Sequence, residues 1–116
     1  MQIPSPKMNV TINLNHHPRA IVNNCLLAPA TLFEMLGFAV VWSPPSTIVS
    51  IIKHTYLVTA IIDSPTLVNN GKLVIPDAPA QIIDGRLLLP VRAILESTGH
   101  QVIWDRETNR MVVRAG

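Results

Sequence analysis

The stretch IDGRLLLPVRAILESTGHQVIWDRETNRMVV, residues 83–113, carries the pattern on which the fold turns. Its leading apolar run is broken by Asp84-Gly85, residue types that accept the positive φ of a tight hairpin turn. Pro90 follows where a helix loses an N–H without cost. Val91, Ile94, Leu95 and Thr98 then recur at i, i+3, i+4 and i+7, which predicts one core-facing stripe on a short helix. Gly99 stands where that helix would close in a left-handed cap. Beyond it, an apolar run ending in Trp104, the polar turn DRETN (105–109) and the run RMVVRA (110–115) predict a second hairpin.

The same string occurs earlier in the chain. AIVNNCLLAP (20–29) lines up with QIIDGRLLLP (81–90), and LGFAVVW (36–42) with TGHQVIW (98–104), offset by 61 residues before the helix and 62 after it. Ile21 matches Ile82, Leu26 matches Leu87, Pro29 matches Pro90, Phe33 matches Leu95, Gly37 matches Gly99 and Trp42 matches Trp104. The first copy therefore predicts a hairpin around Asn23-Asn24, a helix with Pro29, Leu32, Phe33 and Leu36 on its stripe, and a hairpin around SPPST (43–47). Between the copies, HTYLVTAII (54–62) and PTLVNNGKLVIP (65–76) add strands turning at Asn69-Asn70-Gly71. Short helices set among antiparallel hairpins give an α+β fold, a sheet wrapped around two short helices and internally duplicated. Units of about 55 residues are marginal alone, so the copies are expected to share one core. The predicted organisation is a tail over residues 1–8 and a single domain over 9–116, made of repeats at about 9–58 and 59–116.

With 116 residues and 12.7 kDa the chain is the size of a single domain, which argues against a multi-domain enzyme. Apolar residues make up 48% of it and charged ones 14%, a composition that excludes intrinsic disorder. The net charge of +2 gives no support for nucleic-acid binding. Cys25, the single cysteine, reads as a small buried hydrophobe. The opening MQIPSPKMNV lacks a basic region followed by an apolar one, so no signal peptide is expected at this start. The uncharged stretch Met35–Ile52 contains Gly37, Pro44 and Pro45 and does not read as a membrane helix.

Charge is unevenly spread: residues 1–62 hold only Lys7, Arg19, Glu34 and Lys53. Within TIVSIIKHTYLVTAII (47–62) both alternate sets are apolar, Val49 and Ile51 on one, Ile48 and Ile52 on the other. Leu57 and Ile61 likewise oppose Tyr56, Val58 and Ile62. A strand pair apolar on both faces is either buried twice or meets a partner, and the expected partner is another copy of the chain or another protein.

The string over 83–113 resembles the copper amine oxidase N-terminal domain family, the stalk domain. The resemblance rests on the DGR-x-L-x-P-x-R opening at 84–92, the Gly99 helix stop, the Trp104-Asp105 corner and the Thr108 turn. The inter-repeat stretch 61–83 is also similar, so the likeness runs from about Asn9 to the end. The first copy departs from it: no arginine follows Pro29, Ser43 stands where the second copy has Asp105, and its turn is proline-rich. The resemblance implies a non-catalytic interaction or spacer module of a bacterial extracytoplasmic or cell-surface protein, with no cofactor of its own. Copper and the tyrosine-derived quinone of such enzymes belong to a separate, larger domain, and Tyr56 lacks the Asn-Tyr-Asp/Glu setting of that quinone. An amine-oxidising enzyme is therefore not expected; the alternative to a spacer is a module that binds cell-wall glycan or another anionic wall polymer.

Each candidate side chain also has a structural reading. His16 and His17 are adjacent and point to opposite faces of a strand, while His54 and His100 are scattered, so surface or turn positions are expected rather than a metal site. No serine, histidine and aspartate fall in a nucleophile motif, and no catalytic residue is assigned. Trp42 and Trp104 could stack on sugars, but their equivalent places favour packing anchors. Arg92 and Glu96 form an i, i+4 helix pair, and Arg110 and Arg114 share a face of the last strand, where they are expected to protect a sheet edge.

Overall fold

The computed structural model describes residues 9–115; the tail expected over 1–8 lies outside the described residues. In chain order the elements are β1 (Asn9–Asn13), a 3-10 turn (Leu14–His16), β2 (Ala20–Val22), β3 (Cys25–Pro29), α1 (Ala30–Met35), β4 (Ala39–Val41), β5 (Ile48–Lys53), β6 (Tyr56–Ile61), β7 (Leu67–Asn69), β8 (Lys72–Val74), β9 (Gln81–Ile83), β10 (Arg86–Pro90), α2 (Val91–Ser97), β11 (His100–Asp105) and β12 (Arg110–Ala115). All strand pairing is antiparallel, in three sheets ordered β1-β12-β11, β2-β3-β10-β9 and β4-β5-β6-β7-β8. This is an α+β architecture.

The four-stranded sheet is the centre of the molecule. Its hairpins turn at Asn23-Asn24, with φ of 51° and 62°, and at Asp84-Gly85, with φ of 52° and 76°. Positive φ at both central residues is the type I′ requirement that these residue types meet. β3 and β10 then pair with each other, Ala28 opposite Leu89 and Leu27 opposite Pro90. Each strand runs straight into a helix, with Pro29 and Pro90 as the N-cap residues. A proline there closes the strand without leaving an N–H unpaired, since it has none to donate to the ladder or to the first helical turn.

Leu26, Ala28, Leu87 and Leu89 face the main core, where they meet Leu32 and Phe33 of α1 and Val91, Ile94 and Leu95 of α2. Cys25, Leu27 and Leu88 face the other way, into a smaller cluster closed by Ala78 from the β8–β9 connection. Both central strands are thus buried on two faces, which is why CLLAP and LLLP read as continuous apolar runs rather than alternating ones. Gly37 and Gly99 end the helices with φ of 91° and 84°.

Two features depart from the sequence reading. β1 is an additional strand, laid along β12 with Val10 opposite Val113, and its Ile12 is buried. β12 therefore lies in the middle of its sheet, and Arg110 and Arg114 are exposed side chains of a central strand rather than guards of an edge. No helix among the described residues is long and apolar enough to cross a membrane.

Candidate functional site

The five-stranded sheet has two unlike faces. Strand alternation sends Val49, Ile51, Val58, Ala60 and Leu67 into the main core. On the opposite face the register sets Ala39 beside Ile52 and Ile52 beside Leu57, then Ile48 beside Ile61. A second row runs Val41, Ser50, Thr59, Val68 and Leu73 across all five strands. Among the described residues no charged one lies on that face, and its large apolar side chains are 39% to 59% exposed. The two alternate sets of the 47–62 hairpin thus part company, one inside and one in solvent. Exposed Leu and Ile are common singly, but here they gather with Val41, Val68 and Leu73 on one contiguous sheet face.

The inner face of the same sheet ends in polar groups that close both helices. Lys53 Nζ donates to the Leu36 carbonyl at the end of α1, 2.8 Å away, and lies 5.1 Å above the Phe38 ring. Asn69 Nδ2 donates to the Ser97 carbonyl of α2. His100, expected at the surface, is instead 8% exposed, so that expectation is corrected. Its Nδ1 lies 3.1 Å from Thr98 Oγ1 and 3.3 Å from the Leu95 carbonyl, and its Nε2 lies 3.2 Å from Lys53 Nζ. An ammonium only donates, so Nε2 accepts and the ring proton sits on Nδ1, where it reaches Thr98 and the helix end. Burial, then the Lys53 charge, hold the imidazole pKa below its usual value against the opposing pull of the Leu95 carbonyl. Burial also lowers the Lys53 ammonium. The histidine thereby completes a hydrogen-bonded junction between the helix ends and the sheet.

Both tryptophans are partly buried against the main core, and each also lines a cavity. The Trp42 cavity, of about 350 Å³, lies between β4, β10 and the start of α1. The Trp104 cavity, of about 380 Å³, lies between β11, β3 and the start of α2, with the β8–β9 connection as its far wall. Trp42 Nε1 donates to the Ser46 carbonyl at 2.7 Å; Trp104 Nε1 is buried without a partner, and Arg106 stacks over that indole at 4.6 Å. The tryptophans are therefore packing anchors that present part of the ring to a cavity.

Arg92 and Glu96 form the expected pair on α2, 3.4 Å apart and about half exposed. Cys25 is buried in the smaller cluster, as its composition reading held, and burial raises its thiol pKa, Asp77 adding to the effect against a backbone hydrogen bond to Ala78. His16 and His54 are exposed on separate turns and His17 is half-buried. Among the described residues no three His, Cys, Asp or Glu side chains converge, so this donor set does not fit a copper ion.

Two short helices seated between antiparallel hairpins define a small α+β module. The chain belongs to the copper amine oxidase N-terminal domain family, which it matches over residues 8–113. In copper amine oxidases that domain is a non-catalytic, stalk-type module. No curated protein matches the chain.

Proposed function

We propose that the chain is a non-catalytic interaction and spacer module of a bacterial extracytoplasmic or cell-surface protein that associates with a second copy through the outer face of its five-stranded sheet. The observation that carries this reading is the uncharged face running from Val41 to Leu73, with Ile48, Ile52, Leu57 and Ile61 exposed beside it. Burying such a face yields roughly 25 cal/mol per Å² of apolar surface, and the missing charges remove the usual penalty for desolvation. The same face explains why residues 1–62 carry so few charges.

The module is built from a duplicated unit, one copy within about 9–58 and the other within about 59–116. Support comes from matched positions in matched places: Ala28 and Leu89 face each other across the β3–β10 pair, and Gly37 and Gly99 both end a helix at positive φ. Trp42, one residue past β4, and Trp104, within β11, follow those helices at the same spacing of five residues from the terminal glycine.

Ile52→Lys tests the reading. Ile52 is 39% exposed, so the fold accommodates the lysine, but a face-to-face contact would bury an unpaired charge at a cost of several kcal/mol. The variant is expected to be monomeric with an unchanged circular dichroism spectrum. Association that survives the substitution would place the contact elsewhere.

A further inference from the structure

The two tryptophan cavities share a plan and differ in equipment. Around Trp42 the polar side chains among the described residues are Thr31 and Arg86. The Trp104 cavity has an aliphatic floor that includes Leu26, Val91, Val102 and Met111, and a rim carrying Asn24, Asp77, Arg92 and Glu96. At about 380 Å³ it falls at the small end of the range for ligand pockets, which combine an apolar lining with a few placed polar groups. Arg106, outside the wall, stacks on the indole and hydrogen-bonds to Asn24 at 3.3 Å, holding the ring and one rim group in place.

We infer that the Trp104 cavity binds a neutral pyranose ring bearing an apolar substituent, of the N-acetylated hexosamine type. The rim decides the charge of the ligand. Asp77 and Glu96 stand against Arg92 and the neighbouring Arg106, so the rim carries no net charge and gives a phosphate-rich or uronate polymer no net attraction. Carboxylate, amide and guanidinium groups are suited instead to pairs of hydroxyls, which both donate and accept. Trp104 supplies an apolar wall for the carbon face of a sugar ring, and the aliphatic floor takes a methyl-bearing group. The cavity lies between β3, α2 and β11, away from the outer face of β4–β8, so the inference stands independently of self-association.

The experiment uses a Trp42→Phe chain, in which Trp104 is the single tryptophan, titrated with tri-N-acetylchitotriose, maltotriose and heparin while indole emission is read. The expected result is a saturable change with tri-N-acetylchitotriose, weaker binding of maltotriose and no response to heparin. Arg92→Ala and Glu96→Ala, both at exposed positions, should each weaken the acetylated sugar about tenfold while the melting temperature stays near that of the parent. Should Trp42→Phe fail to fold, amide NMR shifts of Ala93, Ser97 and Val102 in the unaltered chain read the same event. Absence of a saturable response, binding by both rim variants as tight as by the parent, or tighter binding of heparin than of the neutral sugars would overturn the inference. Equal binding of maltotriose would overturn the acetylated class.

Discussion

His100 stands where the first half of the chain has Phe38, and the two rings lie 5.7 Å apart between the helix ends. The histidine is neutral in the fold because burial and Lys53 depress its pKa below 6.5. As pH falls below 6.5 the unfolded chain takes up the proton before the folded one does, so stability rises with pH in that window and is lost on acidification. Chemical denaturation at pH 7.5 and at pH 5 should show a lower unfolding free energy at the acid end, a difference that His100→Gln reduces. The two helix-terminal glycines allow a sharper comparison. A methyl group added at Gly37 would meet Lys53 Cε at an ordinary 3.5 Å, whereas at Gly99 it would stand 3.2 Å from the Tyr56 hydroxyl. Both alanine substitutions pay roughly 1–2 kcal/mol for a left-handed backbone, and Gly99→Ala should cost more. Tyr56→Phe, which removes that hydroxyl, should recover the difference in urea unfolding.

Among the elements, turn chemistry made the hairpins legible. Asn23-Asn24 and Asp84-Gly85 need positive φ, and nothing else in those stretches competes with them. The helix stripes were equally plain, because Leu32, Phe33, Ile94 and Leu95 repeat at helical spacing and all are fully buried. β1 was not legible: NVTIN is short, and its partner β12 lies at the other end of the chain, so its pairing is purely tertiary. For the same reason the arginines of β12 could be placed on one face but not on a central strand. In the 47–62 hairpin both alternate sets are apolar, and the sequence alone leaves open which one turns inward. The inner set is the one that shares its face with Lys53, whose ammonium meets a helix-end carbonyl. Asp77 and Asn24 reach the Trp104 cavity from separate connections, and no local spacing announces them. The central pairing gives this scale its prediction. Leu89 is fully buried where β10 meets β3, so Leu89→Ala should cost about 2–5 kcal/mol in equilibrium unfolding.

At the scale of the whole molecule, one main core takes side chains from both helices and all three sheets, including Ile12 of β1, Val58 of β6 and Met111 of β12. The two halves should therefore unfold in a single transition, and coincident fluorescence and circular dichroism curves would check it. Outside that shared core, the outer face of β4–β8 gathers seven exposed large apolar side chains and, among the described residues, no charge. Light scattering across a concentration series, on the unaltered chain and on Ile52→Lys, tests the account most directly. Association through that face gives a mass at least twice 12.7 kDa for the first and a folded monomer for the second. A monomeric mass for the unaltered chain at every concentration would contradict it.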